Sequence, residues 1–410
     1  MQTSISATTL ATAWGQEAND ILRKCVHCGF CTATCPTYQV LGDELDGPRG
    51  RIYLIKQLLE EGDVSRNTQS HLDRCLTCRS CETTCPSGVE YSHLLDIGRH
   101  VIEQKVTRPL IQRVLRHTLV QLLTHRHLFN SLVVLGRTLS FILPRGLQRN
   151  LGNQKRMYPW PRASHSRKML LLEGCVQPGL APNIDLATAR VLNNLGIELQ
   201  RVSRVSCCAA VEWHLSETQK ALVRMRANID AWWPAISAGA EAIVINASAC
   251  AAMVKEYAYY LRDDAAYAEK AKTVSAMAKD ISEVLAREDL APIKANLQHN
   301  AAGAQRPSKL AFHLPCSLQH GQGLPNVVQG ILEKLGYTLL PVADAHLCCG
   351  AAGTYSLLQK TISQQLLARK LQALSRAAPD LIVTANIGCL LHLQTQAGVE
   401  VKHWIELLDP

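Results

Sequence analysis

Eight cysteines in two copies of one pattern constrain this chain more than any other feature. They read Cys25-x2-Cys28-x2-Cys31-x3-Cys35-Pro36 and Cys75-x2-Cys78-x2-Cys81-x3-Cys85-Pro86. Three thiols so closely spaced sit on a loop, where they reach three corners of a cubane iron–sulfur cluster. A proline after the fourth turns the chain away, so that thiol reaches a neighbouring cluster. The spacing therefore predicts two [4Fe–4S] clusters, one on Cys25, Cys28, Cys31 and Cys85 and the other on Cys75, Cys78, Cys81 and Cys35. A pair of structural zinc sites would also use eight thiols, but zinc gives no reason for two copies of one x2-x2-x3-Pro pattern.

The chain has 410 residues and sixteen cysteines. A disulfide-stapled secreted protein is disfavoured, because residues 1–24 lack a basic start, an apolar core and a cleavage site. Metal-ligand spacing in a reducing compartment is the expectation, with no leader and a cytoplasmic location. No stretch reaches the eighteen or so uninterrupted apolar residues of a spanning helix. The longest candidate, Val114 to Leu143, is broken by Arg116, His117, His125, Arg126, His127 and Arg137.

Charge is concentrated in one place. The whole chain carries +9, whereas Arg99 to Lys168 holds fourteen Lys and Arg against one acid, Glu103. Apolar residues Leu110, Ile111, Val114, Leu115, Leu119, Leu122 and Leu123 form a stripe there, and a second helix is expected over Leu128 to Leu143. A basic segment with apolar stripes suits a solvated face, an acidic partner subunit, or an anionic membrane surface. No nucleic-acid reader motif accompanies the charge.

The C-terminal half repeats itself. Cys175 precedes Cys207-Cys208 by 32 residues, and Cys250 follows; Cys316 precedes Cys348-Cys349 by 32, and Cys389 follows. Apolar strands (Met169 to Leu172, Leu310 to Leu314) lead into the first cysteine of each copy. Helical runs give way at Gly196 and Gly336 to further strands, Ile197 to Val202 and Tyr337 to Val342. Strands Ala242 to Asn246 and Leu381 to Ala385 lead to the last cysteines. Such alternation predicts α/β units with mainly parallel strands and sites just after the strands, with each cysteine pair opening a long helix. Between the N-terminal cysteine runs, Ile52, Ile55, Leu58 and Leu59 mark a helix over Arg49 to Glu61, and Asn67 to Arg74 marks another.

The expected fold class is thus α+β multidomain. A helical two-cluster domain (1–99) precedes a basic amphipathic helical segment and linker (100–166), a first cysteine-rich repeat (167–305) and a second (306–410). Each repeat offers four thiols for a further iron–sulfur centre, a redox dithiol or plain burial. Adjacent cysteines make a strained disulfide ring. Gly350, after Cys349, lets the backbone approach a ligand closely, which makes Cys316, Cys348, Cys349 and Cys389 the better set and Cys175, Cys207, Cys208 and Cys250 the weaker. His313, His320, His346 and His392 lie near the second set as possible hydrogen-bond donors or ligands. No GxGxxG with its acid, P-loop or GxSxG is present, so no flavin or nicotinamide site is expected on this chain.

The segments Gly42 to Gln57 (GDELDGPRGRIYLIKQ), His71 to Val89, Ala227 to Ile236 (ANIDAWWPAI), Thr384 to Cys389 (TANIGC) and His403 to Pro410 (HWIELLDP) resemble those of the iron–sulfur subunits of bacterial glycolate oxidases. The resemblance covers nearly the whole chain. It implies that the eight N-terminal cysteines ligate the clusters and that FAD-binding partner subunits oxidise glycolate to glyoxylate. It also implies electron relay toward the quinone pool at the inner face of the inner membrane, with no catalytic residue on this chain. Subunits serving D-lactate or glycerol-3-phosphate share the plan, as do heterodisulfide reductases, whose thiol/disulfide chemistry is the alternative. The latter end a repeat in CxxC and hold an unusual cluster. Here the ends read Cys250-Ala-Ala-Met253 and Cys389-Leu-Leu-His392, without the fifth thiol, and no glycine follows Cys208.

Overall fold

A computed structural model of the chain describes residues 1–60, 62, 64–139, 159–205, 207–301 and 309–409. Contacts divide it into two compact units: Met1–Thr118 with His346–Lys370, and Leu119–Ala345 with Leu371–Pro410.

The first unit is helical. Gly47-Pro48 starts the helix Pro48–Leu59, since proline at the first helical position has no amide hydrogen to leave unpaired. Its face of Ile52, Ile55, Leu58 and Leu59 is buried against Ile21 and Leu22 of helix Ala13–Lys24 and Leu94 and Leu95 of helix Tyr91–Lys105. The next helix, Arg66–Asp73, is capped by the Ser65 hydroxyl, which accepts from the Asn67 amide. Helices Ala13–Lys24 and Arg66–Asp73 end at the two cysteine loops and so fix where each begins.

Helix Leu110–Thr124 follows. Its N-terminal apolar residues do not enter a core: Leu110, Ile111, Val114 and Leu115 are all exposed. The next helix is Arg126–Thr138, shorter than expected; residues 140–143 of the expected helix and 144–158 of the expected linker lie outside the described residues. Among the described residues, no helix is long and apolar enough to cross a membrane.

The second unit holds two sheets of the same topology. Strands β1 (Arg167–Leu171), β2 (Ile197–Arg201), β3 (Ile243–Ile245) and β4 (Ala278–Asp280) order as β2-β1-β3-β4. Strands β5 (Leu310–His313), β6 (Leu339–Leu340), β7 (Leu381–Thr384) and β8 (Glu400–His403) order as β6-β5-β7-β8. Every pairing is parallel, with β1 in register from Arg167↔Ile197 to Leu171↔Arg201. The central strands β3, β5 and β7 are buried throughout, as a sheet covered on both faces requires. The sequence reading did not include β4 and β8, the last strand of each sheet. The two sheets are joined where their third strands end: the Ser248 amide donates to the Ala385 carbonyl at 3.1 Å, and the hydroxyls of Ser248 and Ser317 lie 2.7 Å apart.

His403, at the end of β8, is fully buried and its Nδ1 accepts from the Ile405 amide. Burial pushes its pKa down to about 4, against a smaller upward pull from the Asn246 and Ala385 carbonyls. A depressed folded-state pKa stabilises the fold above the unfolded value near 6.5, and that stability is lost as pH falls toward 4. Urea unfolding should therefore show wild type losing about 3 kcal/mol across that window relative to His403→Asn, which keeps a capping side chain without the titration.

Candidate iron–sulfur and cysteine sites

Both N-terminal runs adopt one backbone form. Cys25 terminates helix Ala13–Lys24, and Cys75 follows the C-cap of helix Arg66–Asp73. Left-handed residues then turn each loop: His27 (φ 57°) and Gly29 (φ 88°) in the first, Thr77 (φ 53°) and Arg79 (φ 62°) in the second. One short helix, Phe30–Ala33 or Ser80–Thr84, carries the third cysteine and leads to the fourth. These turns aim amides at sulfur: the Thr77 N–H donates to Cys75 Sγ at 3.4 Å. Pro36 begins helix Pro36–Leu41 directly after Cys35. The two tails cross, with Thr34 and Thr84 hydroxyls 3.1 Å apart.

The crossing brings the thiols together in exchanged sets. Burial pushes the Cys31 thiol up to about 11, and the thiols of Cys25, Cys85 and Cys28 add to the shift. Cys81 is driven well up by burial and then by Cys78, Cys75 and Cys35. Each set contains the last cysteine of the other run. Cys25, Cys28, Cys31 and Cys85 also line one cavity with Val26, Pro86 and Val89, which Cys81 of the other set reaches as well. Burial and the neighbouring thiols oppose ionisation of Cys25, Cys31 and Cys81; bound iron would reverse that balance, because a coordinating cation deprotonates its thiols. The donor set, its backbone N–H···S contacts and the cavity fit a cubane cluster.

Two buried arginines beside the second set escaped the sequence reading. Arg51 donates from Nε to the His71 carbonyl (2.7 Å) and from Nη1 to Thr37 Oγ1 (3.1 Å), and its Nη2 lies 3.4 Å from Asp46 Oδ1. Burial works against the Arg51 charge, but Cys75, Tyr91, Cys35 and Asp46 outweigh it and hold its pKa up. Arg99 Nη2 donates to the carbonyls of Leu72 and Cys75 at 2.9 and 2.8 Å, and Nη1 donates to Thr77 Oγ1 at 3.0 Å. Buried cations here suit an anionic centre. Asp46, itself buried, also binds Arg74 Nη1 at 2.8 Å and His71 Nδ1 at 2.9 Å.

In the first cysteine-rich repeat the structure gathers all four thiols. Cys207 sits between Cys175 and Cys208, whose hydrogen bonds push its pKa well down, and Cys208 bonds in turn to Cys250. Cys175, Cys207 and Cys208 are buried. Asn228 Nδ2 donates to the Cys207 carbonyl (2.8 Å) and Tyr257 Oη donates to that of Cys208 (3.0 Å). The pair does not open a long helix: a short one, Ala210–His214, precedes helix Thr218–Ser237. Ala209, after the pair, adopts φ 73°, the left-handed form its counterpart Gly350 takes at 88°.

Of the second set, Cys316 (just after β5) and Cys389 (first turn of helix Ile387–Gln394) belong to the second unit. Asn386 Nδ2 donates to Cys389 Sγ at 3.4 Å. His313, buried on β5, bonds Thr384 Oγ1 at 3.0 Å; His320 lies in the turn Ser317–Gly321, and His392 on the Cys389 helix. Cys348, Cys349 and His346 belong to the first unit. Gly350 is closely packed within its own unit. A Cβ there would stand 2.7 Å from the Ser363 carbonyl oxygen, so its close neighbour is helix Lys360–Ser375. Gly350→Ala should cost about 1–2 kcal/mol for the left-handed backbone alone, with the contact adding more. Ala209→Gly should gain up to about 1 kcal/mol. Paired denaturation curves, with midpoints moving in opposite directions, check both.

Fold and thiol geometry together define a dicluster iron–sulfur protein carrying two cysteine-rich α/β repeats. Family comparison agrees: residues 21–89 match the 4Fe-4S dicluster domain, and 169–255 and 310–394 each match the cysteine-rich domain. The chain is 52% identical over 410 residues to the glycolate oxidase iron-sulfur subunit of Escherichia coli K12, covering all of this chain and 98% of that one. It is 29% identical over 417 residues to the probable glycolate oxidase iron-sulfur subunit of Bacillus subtilis 168, covering 92% of this chain and 89% of that one. Lactate utilization protein A of Geobacillus thermodenitrificans matches at 27% over 248 residues, 59% of this chain and 98% of that protein. The chain belongs to the family of glycolate oxidase iron–sulfur subunits.

Proposed function

We propose that this chain is the electron-transfer subunit of a membrane-associated glycolate dehydrogenase. It would take electrons from an FAD-binding subunit that oxidises glycolate to glyoxylate and pass them toward quinone. The observation that carries the reading is the exchanged pairing of eight thiols in a chain similar end to end to a glycolate oxidase iron-sulfur subunit. Cys25, Cys28, Cys31 and Cys85 hold one cluster, and Cys75, Cys78, Cys81 and Cys35 the other. When bound, each cluster supplies a one-electron step. The protein's part is to hold the thiols, donate N–H to sulfur, offset charge through Arg51 and Arg99, and exclude water.

The repeats supply further redox positions, with Cys175, Cys207, Cys208 and Cys250 as compact a set as Cys316, Cys348, Cys349 and Cys389 was expected to be. Peripheral attachment to the cytoplasmic face of an anionic membrane is supported by the basic segment and the exposed apolar residues on its helices, Leu110, Ile111, Val114 and Leu115 and then Leu128, Leu132, Val134 and Leu135. A second reading, D-lactate oxidation through the same relay, is favoured by the similarity to lactate utilization protein A. The complex purified with its flavoprotein partners and offered glycolate, D-lactate and glycerol-3-phosphate decides between them. Glycolate is expected to bleach the iron–sulfur absorbance fastest, and preferential bleaching by another substrate overturns the assignment.

A further inference from the structure

The two cysteine runs share sequence pattern and backbone form but differ in how they are covered. Val26 is 67% exposed where its counterpart Leu76 is 6% exposed, and Phe30 is 62% exposed where Ser80 is 1% exposed. Cys28 is the one exposed cysteine of the sixteen, whereas its counterpart Cys78 is buried. The first unit itself shows one element that packs at the second run. Tyr355, 6% exposed, donates from its hydroxyl to the carbonyl of Arg74, the residue before Cys75, at 2.9 Å. Both Cys75 and Cys348 act on that phenol. The second run is therefore met by a segment of the same chain that itself carries a cysteine pair.

By the internal repeat, the bare first run is the same kind of surface awaiting its cover. We infer that Val26, Cys28 and Phe30 form the docking surface for the flavin-bearing partner, which delivers electrons to the cluster on Cys25, Cys28, Cys31 and Cys85. This rests on the electron-transfer reading above and names where the donor binds. Two large apolar side chains beside an exposed cluster ligand suit a protein contact, since apolar groups left in water around a functional centre mark interaction sites. The surroundings do not favour anionic lipid. Lys24 pairs with Glu90 and Arg49 with Glu44. Arg23 and the Met1 ammonium add positive charge nearby, but residues 1–98 as a whole hold eight Lys and Arg against twelve Asp and Glu, and the chain's excess positive charge lies from Arg99 onward. In each transfer one electron leaves the reduced flavin and one enters the cluster. No bond or proton changes at Val26 or Phe30, which position the partner.

The test uses the full complex with Phe30→Asp. Phe30 is exposed and is not among the residues that line the cluster cavity, so folding and iron content should match wild type. Glycolate-driven bleaching of the clusters through the flavin subunit should slow roughly tenfold or more, the loss of one buried anchor. Bleaching by dithionite, which needs no docking, should be unchanged. Wild-type rates with glycolate in the Phe30→Asp protein overturn the proposal. If glycolate fails to reduce even wild type, the substrate reading fails, and a separate arm decides the docking surface. In that arm Phe30→p-benzoylphenylalanine is photolysed in intact cells. A covalent adduct to a flavin-containing polypeptide supports the inference; no adduct, or one without a flavin, overturns it.

Discussion

Cys85→Ser is expected to remove the cluster of the first cysteine run while leaving that of the second run in place. The anaerobic protein should lose about four of the roughly eight irons of its ferredoxin-type domain. Paired substitutions identify which cluster has gone. Cys28 and Cys85 belong to one exchanged set, so Cys28→Ser added to Cys85→Ser should cost no further iron from this domain. Cys78 belongs to the other set, so Cys78→Ser added to Cys85→Ser should leave it almost empty. A chain that filled each cluster from a single run would give the reverse ordering. Iron and sulfide analysis of the four proteins reads the answer directly, and a spin count by electron paramagnetic resonance confirms it.

Asp46→Ala should be among the most destabilising single changes outside the ligands. The carboxylate is 1% exposed and answers Arg51, Arg74 and His71 together. Removing it leaves the Arg51 guanidinium, also 1% exposed, without its carboxylate. Breaking a buried ion pair from one side typically costs about 3–5 kcal/mol, because the remaining charge stays desolvated. Arg51→Met should cost less, since Asp46 would keep Arg74 and His71. Urea midpoints measured anaerobically on cluster-loaded protein check the order, and an Asp46→Ala protein within about 0.5 kcal/mol of wild type would contradict it.

The parts legible in the sequence were those whose physics is local. Ligand spacing along a loop announces itself, as does the alternation of strand and helix in two copies, and both sheets carry the parallel order that alternation demands. The crossing of Cys35 and Cys85 was also legible, because a proline after a fourth cysteine has a geometric consequence. Arg51, Asp46 and Arg99 were not. In sequence a charge reads as solvated, and only the tertiary fold draws Arg99 from helix Tyr91–Lys105 onto the carbonyls of Leu72 and Cys75. Ala209 hid for a related reason: left-handed backbone is signalled by glycine, and here alanine bears the strain. The repeat symmetry of the two cysteine pairs likewise gave no hint that residues 346–370 pack with the N-terminal unit. That packing arises from contacts such as Tyr355 to Arg74 and Arg369 to the Gln39 carbonyl, far apart in the chain.

The most direct test of two interlaced clusters is electron paramagnetic resonance of the dithionite-reduced full chain, purified anaerobically and assayed for metal. Clusters that each draw ligands from both of two crossed loops must be close neighbours. The expected spectrum is therefore a broadened signal split by magnetic coupling, with about eight irons in the N-terminal domain and any excess assigned to the repeats. A colourless, zinc-loaded protein, or iron giving two sharp and uncoupled signals, would contradict it.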